Sequence, residues 1–459
     1  MNTLKAGFGR VDITPMLGIA LQGYFHPRFA DGILDNLEIN ALALETDGTK
    51  VLLIAVDNCE FYKEVMDNCR QRITEATGVP NDAIFISITH SHTSPCLFSP
   101  REARNFDAFG EPFDAAQLEI LREYELLIYR RIADVACLAI ADLKPAKMGW
   151  AIGKAPEVAF VRRFRMKDGS VRTNPGVGNP DILHPIVDVD ERVNVLRFDQ
   201  EAGNSLILVN FGNHPDTVGG NKISADWPGY TRRMVEKSID NTRCIFFNGA
   251  QGDVNHINVH ETNPLFMQAY SEQEKLTFAE HIGRTVAGAV LQVYDKVNYR
   301  DVDSLRFLQK TIAAPSNMPK PEEMEQARLY VALHETGRDS EIPAEGMGVT
   351  TLVSEALRMV RLEHGPESFP LLLSGIAIGN VALFGIPGEP FTGIGRGIKE
   401  AEGWDLVLPC GLTNDYVAYF PMQEAYDEGG YEARSSSLKA GVAELIIDEG
   451  KQLLAQLKA

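Results

Sequence analysis

The sequence predicts an α/β protein with a mixed β-sheet core flanked by helices. Two observations carry that prediction: short apolar, β-branched runs alternate along the chain with longer amphipathic segments, and no internal repeat or low-complexity tract breaks the alternation. In chain order the runs of strand length are Val51–Val56, Ala83–Thr89, Ser205–Phe211, Cys244–Phe247, Leu371–Ile378 and Val381–Ile386. Helical spacing of apolar residues marks Ala115–Leu143, Trp227–Ser238, Glu272–Tyr294 and Gly441–Leu457. The long apolar stretch Leu371–Gly388 is divided by Gly379-Asn380 into two strand-length halves, which favours a hairpin over a membrane span. Around 315–370 the chain is rich in Pro, Glu and Met with helical middles (Pro321–His334, Val353–Glu363), and is expected to be a helical insertion. No Gly/Ser linker divides the chain, so residues 1–459 are expected to form a single domain.

Charge and cysteine usage narrow the function. Lys and Arg total 44 against 63 Asp and Glu, a net charge of −19 that opposes phosphate backbones and anionic membrane faces. Nucleic acid and stable membrane association are therefore excluded as partners, and a small-molecule substrate is expected. The six cysteines (Cys59, Cys69, Cys96, Cys137, Cys244, Cys410) show no C-x-x-C spacing, so neither a disulfide framework nor a thiolate zinc site is indicated. The start, MNTLKAGFGRVDITP, lacks the basic and apolar regions of a signal peptide, and the reading is cytoplasmic.

Polar residues cluster where the strands end. Ile84, Ile86 and Ile88 share a parity that continues to His90 and His92, so one strand with a single core face would point both imidazoles the same way. Ser205–Phe211 runs into GNHPD with His214, Cys244–Phe247 into NGAQGDVNH with Asp253, Asn255 and His256, and Val381–Ile386 into PGEPF with Glu389. Val51–Val56 leads into Asp57. A histidine after a strand is, taken singly, most often a turn residue. Several strand ends carrying His and carboxylate together describe one pocket with metal-ligand chemistry, because ligands of α/β sheets collect outside the carboxyl ends of the strands. The residues after His256, including His260 in HINVHETN, are expected to be exposed loop residues, with part of a second site as the alternative.

The strings AGFGRVDITP (Ala6–Pro15), ITHSHTSP (Ile88–Pro95), GNHPD (Gly212–Asp216), ISADWPGY (Ile223–Tyr230), QGDVNH (Gln251–His256) and YVAYFPMQEAYDEGGYEA (Tyr416–Ala433) occur in an order that resembles the neutral/alkaline ceramidase family. The resemblance implies a ceramidase-like catalytic domain without the family's C-terminal immunoglobulin-like domain. Matched motif by motif, it implies one zinc ion on His90, His214, Glu389 and Tyr419, with His92 and Tyr431 contacting substrate. Tyr431 follows Tyr419 by 12 residues, the spacing of the family's two tyrosines. An arginine lining the pocket matches Arg162 or Arg163 in AFVRRF, although Val161 stands where an asparagine is expected. Where the family has a serine in G-D-V-S-P-N, this chain has Asn255, which cannot be a nucleophile but can donate a hydrogen bond to an oxyanion.

The resemblance implies a zinc-dependent hydrolase of an amide, ester or lactone in a small soluble substrate, with ceramide itself disfavoured. Zinc on two histidines and a carboxylate brings a bound water's pKa to about 7, so no serine is needed. Other divalent metals suit the same ligands. His92 is expected as acid or base, Tyr431 and Arg162 or Arg163 as stabilisers of negative charge, and Asp57, Asp226 or Asp253 as groups orienting the imidazoles. The alternatives are a metal-dependent lyase or isomerase acting on a polyol or keto sugar, and a non-catalytic ligand-binding homologue.

Overall fold

The structure, a computed structural model, describes residues 4–24, 28–97, 113–264, 266, 277–417 and 419–458. Its strands are built from the β-branched and apolar runs, and the longest sheet has nine of them. In chain order these are β1 (Lys5–Asp12), β2 (Glu38–Thr46), β3 (Thr49–Val56), β4 (Ile84–Ile88), β5 (Lys144–Lys154), β6 (Arg192–Gln200), β7 (Ser205–Phe211), β8 (Thr242–Asn248) and β9 (Asn298–Arg300). Their spatial order is β8-β7-β6-β5-β1-β2-β3-β4, with β9 paired to β5. A second, four-stranded sheet contains β10 (Leu305–Pro315), β11 (Ser368–Ile378), β12 (Val381–Gly385) and β13 (Leu406–Cys410), in that order.

Most neighbours are antiparallel, but β3 with β4, β7 with β8 and β12 with β13 are parallel. A parallel pair needs a crossover, and helices supply it. These are α1 (Lys63–Thr77) between β3 and β4, α3 (Asp226–Ser238) between β7 and β8, and α7 (Thr392–Lys399) between β12 and β13. The remaining principal helices are α2 (Ala115–Ala141), α4 (Thr277–Val293), α5 (Met324–Glu335), α6 (Met347–Leu362), α8 (Tyr431–Ser435) and α9 (Val442–Lys458). Residues 272–276 of the expected helix Glu272–Tyr294 lie outside the described residues; its visible part is α4. Helices α5 and α6 lie between β10 and β11, where the composition of 315–370 predicts helix.

The Leu371–Gly388 stretch is a hairpin: β11 and β12 pair antiparallel with Ile378 opposite Val381, around Gly379 at φ 57°. No helix among the described residues is long and apolar enough to cross a membrane. The strand carrying the ITHSHTSP motif departs from expectation, since β4 is buried on both faces and not one. The loop after β13 runs along the open edge of β4: the Ile88 N–H donates to Leu412 O at 3.1 Å, and Ile86 N–H to Asn414 Oδ1 at 3.0 Å. The same loop reaches β8 through Gly411 N–H to Asn248 O at 3.1 Å, and Phe85 of β4 lies 6.1 Å from Phe247 of β8. The carboxyl ends of β4, β8 and β12 are thereby brought to one place.

Candidate metal centre

His90 follows β4, His214 follows β7 and Glu389 follows β12, each just past the carboxyl end of a strand in a parallel pair. All three are buried, and one ligand atom from each lies within 4.8 Å of the others. Glu389 Oε2 is 3.3 Å from His90 Nε2 and 3.1 Å from His214 Nε2. The opposite ring nitrogens are held by backbone: His90 Nδ1 lies 2.6 Å from Cys59 O and His214 Nδ1 2.9 Å from Gln251 O. A carbonyl can only accept, so Nδ1 carries the proton in each ring and Nε2 presents its lone pair to the centre. His214 Nε2 and Glu389 Oε2 are buried without a hydrogen-bond partner among the described residues. Buried lone pairs on two imidazoles and a carboxylate, aimed at one point, fit a divalent cation.

Charges inside the cluster agree with that reading. Burial disfavours the charged form of Glu389, but His90 and His214 outweigh it and hold the carboxyl well below the usual range. Burial also opposes a charge on His90, yet Glu389 and Cys59 raise its pKa well above that of a free imidazole. A positive charge is thus favoured at the centre. Cys59, His90 and His92 form a second group of donors. It suits a cation poorly, because burial pushes the Cys59 thiol up and its Sγ approaches the protonated Nδ1 of His90, at 3.8 Å.

His92 meets His90, with Nε2 atoms 3.2 Å apart, but strand parity is not the cause. The strand stops at Ile88, and His90 has φ 75°, a left-handed turn residue. The turn is tied by His90 N–H and Ser91 N–H donating to Asn58 O at 2.8 and 3.1 Å. His92 is then fixed by its N–H to Pro215 O at 3.1 Å and by Arg28 donating to His92 O at 2.6 Å. Burial, then His90, keeps the His92 pKa well below the ordinary value.

Tyr419 is placed by register: the short strands Glu389–Pro390 and Tyr419–Phe420 pair in parallel with Glu389 opposite Tyr419. Its ring stacks at 6.4 Å on His214 and meets Tyr431 edge-on at 5.7 Å. Arg162 donates to Tyr419 Oη at 3.2 Å and is itself held by Glu432 at 2.6 Å and Gly252 O at 2.9 Å. Burial, then Glu389, drives the Tyr419 hydroxyl pKa up while Arg162 opposes the rise. Between the two arginines read from AFVRRF, Arg162 contacts the tyrosine. Arg163 turns instead to Glu428 at 3.3 Å and Gly429 O at 2.8 Å.

Other expectations are corrected. The orienting groups for the imidazoles are the Cys59 and Gln251 carbonyls, not Asp57, Asp226 or Asp253. Asp57 forms a buried ion pair with Arg232 at 2.5 Å, and Asp253 accepts from Thr392 N–H at 2.7 Å, at the start of α7. Asp226 accepts from Thr217 and Val218 N–H groups at 2.9 and 3.0 Å. Asn255 is fully buried, donates to Asn174 Oδ1 at 2.9 Å and accepts from Ile257 N–H at 3.1 Å. It makes no hydrogen bond to His90, His92, His214 or Glu389. His260 is exposed, whereas His256 is buried and lies 3.1 Å from Asp216. Tyr416, which the sequence reading leaves without a role, donates to Glu389 Oε1 at 3.0 Å. Its place three residues before Tyr419 was the only signal for it.

No family model and no curated protein matches the chain. Solved structures do. It is similar to the neutral ceramidase from Pseudomonas aeruginosa, with a TM-score of 0.73 over 100% of this chain and 75% of that one, at 16% identity. It is also similar to a ceramidase complexed with C2, with a TM-score of 0.71, 18% identity, and coverage of 100% and 76%. The chain therefore has the α/β fold of the neutral ceramidases.

Proposed function

We propose that the protein is a zinc-dependent hydrolase that cleaves an amide, ester or lactone bond in a small soluble substrate. The observation that carries this reading is the convergence of His90 Nε2, His214 Nε2 and Glu389 Oε2, with both Nδ1 atoms tied to backbone carbonyls. Its likeness to solved ceramidases supports amide-bond hydrolysis. Ceramide is disfavoured, because Asn255 stands where the resemblance calls for a serine. A cytoplasmic setting is part of the proposal, consistent with six free cysteines.

The residues that would hold the ion are His90, His214 and Glu389, with Tyr419 beside them. A bound zinc ion would supply an acidified water and a Lewis acid for the scissile carbonyl. Tyr416 fixes the free oxygen of Glu389. His92, whose Nε2 borders the cluster, is placed to take up and return a proton. Arg162, anchored on Glu432, holds a fixed positive charge against the Tyr419 hydroxyl, so negative charge developing there is met without rearrangement.

The test is metal content of protein purified without a histidine tag, together with turnover of amides, esters and lactones before and after chelation. One equivalent of zinc and chelator-sensitive turnover are expected. Running the reaction in ¹⁸O-labelled water separates hydrolysis, which incorporates label into the acid product, from lyase or isomerase chemistry. Metal-free protein without metal-dependent activity would reject the proposal.

A further inference from the structure

We infer that Tyr416 is a positioning residue: its hydroxyl holds Glu389 so that only Oε2 is offered to a metal ion, and this one-oxygen mode selects zinc over divalent metals that need more donors. The inference rests on the zinc reading of the centre and adds to it the choice of metal, which the donor types alone leave open.

The two oxygens of Glu389 have different surroundings. Oε2 lies 3.1 Å from His214 Nε2 and 3.3 Å from His90 Nε2, and it has no hydrogen-bond partner among the described residues. Oε1 lies 3.0 Å from Tyr416 Oη. A carboxylate only accepts, and a phenol with an ordinary pKa of about 10 keeps its proton, so the hydroxyl is the donor. Binding through both oxygens would cost that bond.

The loop after β13 keeps the hydroxyl where it is. Before Tyr416, Leu412 N–H donates to Gly388 O at 2.8 Å and Thr413 N–H to Ile386 O at 3.0 Å. After it, Val417 N–H donates to Pro387 O at 3.0 Å, and Tyr419 pairs in register with Glu389. The chain that carries Tyr416 is thus bonded, on both sides of that residue, to the chain that carries Glu389. The Tyr416 ring is backed by Tyr62, edge-on at 5.9 Å.

The number of carboxylate oxygens sets the donor count. One oxygen of Glu389 with His90 and His214 gives a small set that suits a tetrahedral zinc ion. A second oxygen enlarges the set and suits manganese, which favours octahedral, oxygen-rich shells. A buried carboxylate oxygen needs a donor in any case. A donor serving only that need would cost stability when removed and leave the choice of metal unchanged.

The experiment uses the full-length protein freed of metal by chelation, with its Tyr416→Phe and Tyr62→Phe variants, each titrated separately with zinc, manganese and cobalt(II). Tyr416→Phe should weaken zinc binding by about 10- to 100-fold and manganese binding by less than about 3-fold, so the preference for zinc falls. The visible bands of bound cobalt, intense when few donors surround the ion, should weaken relative to wild type as the second oxygen joins. Tyr62→Phe removes a neighbouring hydroxyl that donates to Glu60, and should leave both the preference and the spectrum as in wild type. An unchanged preference and spectrum in Tyr416→Phe, or an equal shift in Tyr62→Phe, would overturn the role of Tyr416 and leave the centre standing. A wild type that binds none of the three metals would overturn the centre and this inference together.

Discussion

Replacing His214 by Gln removes one of the three convergent donors while keeping roughly the same volume at a position with no solvent exposure. A cation present at 1,000 times its dissociation constant stabilises the folded chain by about 4 kcal/mol. Unfolding entropy of about 2.1 cal/mol/K per residue amounts to about 1 kcal/mol/K for 459 residues, so zinc should raise the wild-type Tm by about 4 °C. If losing the ligand weakens binding about 1,000-fold, a decade beyond the loss of an outer partner, the same zinc concentration stabilises by only about 0.4 kcal/mol. The increment then falls below about 1 °C. The substitution also removes the Nδ1 hydrogen bond to Gln251 O, worth about 1 kcal/mol whether or not zinc is bound. The assay is paired calorimetry of chelated and zinc-loaded protein, so this second cost cancels within each variant, with metal measured by mass spectrometry. His92→Ala is the contrasting arm: it should keep the metal and the 4 °C increment and lose about 10²- to 10⁴-fold in turnover. His214→Gln with one equivalent of zinc and an unchanged increment would refute the centre.

Cys59→Ala should keep metal and turnover within about 2-fold, because His90 Nδ1 is bound by the Cys59 carbonyl and not its thiol; loss of zinc would move the centre to Cys59, His90 and His92. Gly252→Ala places a Cβ 2.5 Å from Glu389 O, a backbone atom that cannot turn aside, and should cost about 1–3 kcal/mol and weaken zinc binding. A wild-type melt and zinc affinity would contradict that. For Asp190, burial raises the carboxyl pKa, but Arg192 and Lys399 outweigh it and hold it well below the ordinary value. A depressed acid stabilises above its unfolded pKa and loses that contribution as pH falls through the folded value. Burial also lowers the Lys399 pKa, and solvent screens this partly open pair, so the net gain is at most about 1 kcal/mol. Asp190→Asn should therefore melt lower at pH 7, and the gap should begin to shrink as pH falls below about 4 and close only toward the depressed folded value, as read by denaturant titration; a gap that does not shrink on acidification would contradict it.

The fold was legible where local pattern and burial agree. Ser205–Phe211 and the hairpin around Gly379 follow from apolar runs and turn chemistry, and α2, α3 and α9 from helical spacing. Strands β1, β5 and β6 were not read, because KAGFGRVD, KPAKMGWAIGK and RVNVLRFDQ interleave charges and glycines with apolar residues. Only pairing on both sides makes them strands. Helix α1 was missed for a related reason: KEVMDNCRQRITEAT is mostly polar, and its helicity is secured by burying Val65, Met66, Cys69 and Ile73.

At the site, the sequence by itself determined which side chains are present at the strand ends: two histidines in ITHSHTSP, one in GNHPD and the glutamate of PGEPF. Residue identity fixes donor chemistry, so the prospect of a metal could be read before any fold. The tertiary structure alone decided how those donors are used. Backbone carbonyls, which no side-chain motif encodes, set the tautomers of His90 and His214, and a left-handed turn, not strand parity, brings His92 to His90. The same packing spends Asp57 and Asn255 on structure and gives Tyr416 to Glu389. The reason is range: a residue's chemistry is local, whereas its partners come from strands and helices up to several hundred positions away.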